Sequence, residues 1–397
     1  MVSDVYFPRV NGVSTSIQTF RKRLVQLGHE SWLIAPEYGS ASSDETNILR
    51  VPSHGVLFDP EDRRMQLRSI LHQLPELRRQ QFDLVHIQTP FVAHYAGVLL
   101  SKRLGLPRVE TYHTLFEEYL YHYVPFVPKA WMRALARRFS CTQCNNLDAV
   151  VVPSAAVLQV LRAYGVRVPI EIIPTGIEME QLAGGDGAAF RAHHGIAPGR
   201  PTLMHVGRVA FEKNIDFLLR VVMRVRQRIP GVLLVIAGEG PALGYLRRLA
   251  ARLDAVGSVL FVGYQDRKQA LLDCYRAGDV FVFASRTETQ GLVLLEAMAL
   301  GVPVVAPAIL GTKEILDAGR GALISPLDEA EFAAKVVTLL EDDRLRSRLG
   351  QEARSYAREW EARRMAERMA EFYSKVRETR LLAVSSPIKT AASGASD

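Results

Sequence analysis

Glu288 and Glu296 stand out within the stretch FVFASRTETQGLVLLEAMALGVPVVAP, which runs from Phe281 to Pro307. Glu288 falls in a polar turn, Ser285 to Gln290. Glu296 falls inside a helical pattern, Leu292 to Leu300, about two turns on. An ionised carboxylate accepts hydrogen bonds and donates none, so either acid suits a pair of vicinal hydroxyls. Between them, Gly291 precedes the helix start. A helix N-terminus carries unpaired N–H groups and partial positive charge, and a glycine lets backbone approach an anion without a Cβ in the way. Two carboxylates flanking a phosphate cradle describe a site for a sugar nucleotide. Taken singly, each acid reads equally well as a solvated surface charge.

Cations that could complete such a cradle lie further up the chain. The run Thr202 to Val206 ends in Gly207-Arg208 and is followed by Glu212-Lys213-Asn214. A strand, then a glycine, then cations at the mouth of a sheet make a phosphate site, with Arg208 and Lys213 as the charges. Asn11-Gly12-Val13 forms a turn into a helix from Ser14 to Leu27, closed by Gly28, whose first N–H groups could face the same diphosphate from the other side. His113 follows the run Val109 to Tyr112, where a strand-end histidine is either a packing residue or a hydrogen-bonding one. Gly238-Glu239-Gly240-Pro241 lacks the spacing of a dinucleotide fingerprint.

These residues need strands to end beside them. Apolar runs at Ser31–Ala35, Ile48–Val51, Asp83–Ile87, Arg108–Tyr112 and Asp148–Val152 alternate with helical patterns at Arg63–Leu74, Pro90–Leu104 and Ala155–Tyr164. The second half repeats the scheme with strands at Thr202–Val206, Val232–Ala237, Val259–Val262, Val280–Phe283 and Val304–Ala306. Such alternation predicts α/β architecture with two doubly wound parallel sheets, and ligands gather at the carboxyl ends of their strands. From Glu329 the pattern is helical to about Arg380. Residues 381–397 are rich in Ala, Ser and Gly and are expected to be disordered.

Length and composition fit this picture. The chain has 397 residues, 48% of them hydrophobic and 23% charged, which suits two globular domains of comparable size. Three cysteines (Cys141, Cys144, Cys274) suit a reducing compartment without a disulfide framework. No run reaches the roughly 18 apolar residues of a membrane span. A net charge of +7 is compatible with an anionic partner surface. One helix supplies candidate groups for that. Lys129, Arg133 and Arg137 recur every four residues, while Trp131, Leu135 and Phe139 recur on another face. A basic stripe beside an aromatic and aliphatic one is what an interfacial helix presents to anionic lipid, although an ordinary amphipathic helix reads the same way.

The paired acids with TETQGLVLLEAMALGVPVV resemble the signature of family 4 retaining glycosyltransferases of the GT-B fold, two Rossmann-like domains facing a central cleft. That resemblance implies residues 1–170 as an acceptor-binding domain and 171–357 as a nucleotide-sugar-binding domain. Residues 358–380 would form a helix crossing back to the first. It implies Glu296 on the nucleotide ribose, Glu288 near the transferred sugar, and the backbone of Gly291 and Leu292 on the diphosphate. Gly12, Gly207, Arg208 and Lys213 would also meet the diphosphate, the two cations stabilising the leaving group. Gln265 lies in the turn against which the nucleobase would sit, and His113 would lie beside the sugar. The word TYHT…EEYLYHYVP and the TETQG variant are similar to diacylglycerol glucosyltransferases of the family, which implies UDP-glucose as donor and a lipid acceptor. A mannosyl or glucosyl transfer to a lipid-linked or polysaccharide acceptor is the alternative. No metal, cofactor or nucleic-acid partner is implied, and the implied location is cytoplasmic, peripheral on the inner face of the plasma membrane. The family places a full strand ahead of SDVYFPRVNGVSTS, so here the first strand is expected to be shortened by a late-assigned start. A phosphorylase or epimerase on the same scaffold, or a silent binding protein, fits less well. A silent protein would have lost one of Glu288, Glu296, Arg208 or Lys213.

Overall fold

The computed structural model describes residues 1–39, 46–56, 59–115, 129–266 and 269–385. In the first half, strand β1 (Leu33–Pro36) pairs in parallel with β2 (Ile48–Val51), and β3 (Ser53–Val56) forms an antiparallel hairpin with β4 (Asp59–Met65). Strands β5 (Val85–Ile87), β6 (Arg108–Thr111), β7 (Ala149–Val152) and β8 (Ile170–Ile172) follow in parallel order. Between β1 and β5 lies a single residue. Val2 bridges Ile34 on one side and Ile87 on the other. Val2 N donates to His86 O and Val2 O accepts from Gln88 N, both at 2.9 Å, while Ser3 N reaches Ile34 O at 3.0 Å. This stub satisfies the facing backbone groups that a missing central strand would leave unpaired. With Val2 between them, the strands read β2-β1-Val2-β5-β6-β7-β8.

The second half forms one parallel sheet in the order β11-β10-β9-β12-β13-β14, from β9 (Thr202–Val206), β10 (Leu233–Ala237), β11 (Val259–Gly263), β12 (Val280–Val282), β13 (Val304–Ala306) and β14 (Ala322–Ile324). Its strands are apolar on both faces because helices cover both. In β10, Leu233, Val235 and Ala237 enter one core cluster, and Leu234 and Ile236 enter another. In each sheet the order in which strands are added reverses once, at Val2 in the first and between β9 and β12 in the second. Those reversals open a crevice at the carboxyl ends of the strands. The loops after Val2, β9 and β12 are the segments that carry Gly12, Arg208 with Lys213, and Glu288.

The final helix, Ala362–Ser385, lays Met365, Ala366, Met369, Phe372 and Val376 against Phe20, Leu24, Val109 and Val151 of the first half. Arg377 pairs with Asp83 at 3.0 Å and Arg380 with Asp148 at 3.1 Å. Three expectations need correction. Residues Arg63–Met65 belong to β4, and the helical pattern there divides into Leu67–His72 and Leu74–Arg79 around Gln73, with Pro75 in the first turn of the second piece, where its missing N–H costs least. The last helix runs through Ser385, so residues 381–385 are helical. Disorder from 386 onward concerns residues outside the described ones. The amino-terminal helix begins at Gly12, with Asn11 as its cap, so Asn11-Gly12 is a cap and first helical residue and not a turn.

Candidate active site

The cap on that first helix is reciprocal. Asn11 Oδ1 accepts from Ser14 N at 2.8 Å, and Asn11 N donates to Ser14 Oγ at 2.9 Å. The helix Gly12–Gln26 thereby enters the crevice with a fixed angle, and its Thr15, Gln18 and Lys22 line one wall of a cavity of 590 Å³. The opposite wall includes Leu292 and Glu296. Glu296 is 4% exposed and its Oε2 accepts from the Tyr275 hydroxyl at 2.8 Å. That bond fixes the orientation of the buried carboxylate at the cavity wall.

After β12 the chain turns through Ser285–Gln290 to Gly291, which caps the helix Leu292–Ala299 with φ of +94°. That left-handed conformation is routine only for glycine. The loop is stitched to the one after β9. Lys213 Nζ lies 2.5 Å from Glu288 Oε1, Asn214 Nδ2 donates to Ala284 O at 3.2 Å, and Ser285 Oγ reaches Glu212 O at 3.4 Å. Lys213 ends a single 3-10 turn, Phe211–Lys213, held by Asn214 at φ +55°. Arg208 stands half-buried in the same loop, one residue beyond Gly207. The geometry thus joins Lys213 and Glu288 directly, with Arg208 on the same loop as Lys213.

His113, after β6, meets Gln88 Oε1 through its Nε2 at 3.0 Å. Burial pushes its pKa down to about 4, so the ring is neutral at pH 7. It can position a ligand by hydrogen bonds and carries no charge to it. Its carbonyl accepts from Thr289 Oγ1 at 2.8 Å, and Ser154 Oγ donates to Thr289 O at 2.9 Å. The Glu314 carboxylate accepts from Ala155 N at 2.7 Å. The two halves therefore meet through strand-end loops, with the first half's β6 and β7 loops on the loop that carries Glu288. Gln265 is half-buried and donates to Val262 O at 3.1 Å, which fixes the turn after β11 from within. Gln88, Tyr275 and Thr289 were not singled out from the sequence. Gln88 directly follows a strand, a signal that the carboxyl-end rule supplies, whereas Tyr275 sits mid-helix without one.

In the helix Lys129–Cys144, Met132 and Ala136 are buried while Trp131 and Leu135 stand 76% and 64% exposed. Phe139 packs partly into the core. Four residues advance a helix by about 400°, so a stripe at that spacing drifts roughly 40° per step and leaves the outer face by its third member. The expected aromatic stripe is thus cut to Trp131 and Leu135, with exposed Arg133 and Arg137 beside them; the Lys129 side chain lies outside the described residues. Among the described residues, no helix is long and apolar enough to cross a membrane, and no three His, Cys, Asp or Glu side chains converge as a metal site.

Comparison with known proteins adds identity to this geometry. Residues 10–181 match Glycosyltransferase Family 4, and residues 186–356 match Glycosyl transferases group 1. The chain is 34% identical over 315 residues to an alpha-monoglucosyldiacylglycerol synthase of Streptococcus pneumoniae, covering 77% of this chain and 70% of that one. It is 29% identical over 342 residues to a GDP-mannose-dependent alpha-mannosyltransferase of Mycobacterium tuberculosis, covering 83% and 84%. In three dimensions it resembles Anabaena HepE, solved with UDP and glucose, with a TM-score of 0.75 at 17% identity over 94% of this chain and 98% of that one. Two Rossmann-like lobes around a cleft, matched half by half and along most of a relative above 30% identity, place the chain in the family 4 and group 1 glycosyltransferases of the GT-B fold.

Proposed function

We propose that the protein is a retaining hexosyltransferase that moves a hexose from a nucleotide sugar, UDP-glucose by preference, to a diacylglycerol-type lipid. The observation that carries the transfer reading is the Lys213–Glu288 pair beside the Gly291 helix tip, with Glu296 in the adjoining cavity. In this reading Glu296 grips the ribose hydroxyls, and the Gly291–Leu292 backbone and the Gly12 helix tip meet the diphosphate from opposite lobes. Arg208 and Lys213 neutralise charge that grows on the departing diphosphate. Glu288 holds Lys213 in place before the donor arrives and is free for a sugar hydroxyl once the diphosphate takes the ammonium. Gln265 and its turn flank the base, and His113 in its neutral form orients the sugar. Residues 1–170 then serve the acceptor and 171–357 the donor.

Glu296→Ala is expected to weaken binding of UDP about 10- to 100-fold by calorimetry, since hydrogen bonds to a charged group each contribute about 1.5–3 kcal/mol. Unchanged affinity removes the ribose assignment. Turnover of UDP-glucose against GDP-mannose, with mass detection of the product, tests the donor; preference for GDP-mannose would favour the mannosyl reading that one relative's name suggests.

The lipid reading draws on two diacylglycerol-named relatives and on the outward Trp131 and Leu135 beside Arg133 and Arg137. Each Arg near an anionic surface contributes about 1 kcal/mol. Replacing Trp131 and Leu135 by Ala and both arginines by Glu is expected to abolish flotation with anionic vesicles and leave UDP binding intact. Undiminished flotation removes the membrane role of this helix.

A further inference from the structure

Residues 288–290 are each tied to a different element. Glu288 O accepts from Gly311 N at 2.9 Å, and Thr289 is bound to His113 and Ser154 of the first lobe. Gln290 is bound elsewhere. Its Oε1 accepts from Thr175 N at 2.8 Å and its Nε2 donates to Thr175 O at 2.6 Å, so one side-chain amide satisfies both backbone groups of a single residue, as a neighbouring strand would. Thr175 Oγ1 in turn donates to Ser16 Oγ at 2.8 Å, on the helix that begins at Gly12. Gln290, Thr175 and Ser16 are all buried.

Thr175 belongs to the connector between the lobes. The chain crosses from one lobe to the other there and crosses back near Trp360, and the two crossings are paired: Ile177 N donates to Trp360 O at 2.8 Å and Ala362 N to Ile177 O at 2.9 Å. Any separation of the lobes turns about this paired ribbon. The Thr289 contacts with His113 and Ser154 must break in that movement, because their partners lie out on the first lobe. The Gln290 contacts need not, because their partner lies on the axis.

We propose that Gln290 is a positioning residue that fixes the Gly291 helix tip to the connector, and through Thr175 and Ser16 to the Gly12 helix. The two helix tips that face one crevice then keep a common reference while the lobes move. The inference rests on the reading of the Glu288–Gly291 loop as the donor site. An amide is required at this position. Leucine has the size but would leave Thr175 N–H and C=O buried without partners, and an ionised glutamate would leave the carbonyl without a donor. Gly291, at φ +94°, follows directly, so a shift of the Gln290 backbone passes straight to the helix tip.

The test uses the full chain with Gln290→Leu, Gln290→Glu and Ser16→Ala, followed by hydrogen exchange of segments 173–177 and 289–294, UDP calorimetry and transfer kinetics. Gln290→Leu is expected to speed exchange in both segments together. It is expected to lower kcat, expressed per UDP-competent molecule as counted by the calorimetric stoichiometry, about 10-fold or more while the donor KM moves less than about threefold. Partial loss of fold lowers only the competent fraction and leaves that normalised kcat unchanged. Gln290→Glu should follow Leu. Ser16→Ala should speed both segments by a smaller factor, and it carries the exchange readout if Gln290→Leu does not fold. Faster exchange in one segment only overturns the coupling, and unchanged kcat despite faster exchange in both overturns the positioning role. If the unaltered chain binds neither UDP nor GDP, the donor-site reading fails, a result separate from the exchange data, and the proposal falls with it.

Discussion

Lys213→Ala is expected to lower kcat about 10²- to 10³-fold, the loss typical when a preorganised charge partner of a developing anion is removed. Two roles could produce a loss, and they separate cleanly. If Lys213 only holds Glu288 in place, then Glu288→Gln should cost as much as Lys213→Ala, and the double variant should cost no more than either. If Lys213 stabilises the leaving diphosphate, its removal should cost far more than Glu288→Gln, and Lys213→Arg should restore part of the rate because charge is retained. The 2.5 Å contact between the two side chains makes the cycle informative, since neighbours this close do not add independently. The ammonium cannot keep all its donors on the carboxylate and also serve a diphosphate. Donor binding should therefore exchange one anion for another without leaving either charge unpaired for long. Retention of more than a tenth of the rate in Lys213→Ala would remove the leaving-group role.

Much of this site was legible because its residues sit where regular structure ends. Arg208 and Lys213 follow an apolar run closed by Gly207, and His113 follows another, so the carboxyl-end rule placed them before any contact was known. Glu288 and Glu296 were tied to one crevice by the strand, loop and helix pattern around Gly291. Partnerships were not legible. Nothing local says that Tyr275 reaches Glu296, that Gln88 meets His113, or that Gln290 binds a connector residue 115 positions away. Those pairings depend on the order of strands in the sheet and on how the lobes face one another, which the helix and strand periods do not encode. The same limit explains the Lys129–Cys144 helix. Its periodicity proposed an apolar stripe of three, and only packing against the core decided that Phe139 turns inward while Trp131 and Leu135 stay outside. Short strands were also under-read: β3, β8 and β14 carry too few residues for a two-residue period to mark them as strands.

Gly311→Ala is expected to disrupt the candidate donor loop through a single added methyl. A Cβ built at Gly311 would lie 2.0 Å from Thr289 O and 2.4 Å from Gln290 N, both of them backbone atoms that no rotamer change can withdraw. The whole Glu288–Gly291 loop would have to move, and the bond from Gly311 N to Glu288 O would be strained or lost. Overpacking of this kind costs about 1–3 kcal/mol, read as a lower denaturant midpoint at unchanged slope. The functional loss should exceed what that destabilisation explains, because the displaced loop carries the acid, the helix tip and the contact to His113 together. Transfer measured well below the unfolding transition is expected to fall at least about 10-fold. Gly12→Ala is the stability control: nothing lies within 4 Å of its added methyl, and its helical position gains from alanine, so the fold should be unaffected or slightly firmer. Equal stability of the two variants would mean that the Gly311 helix and the donor loop are not held in the close packing described.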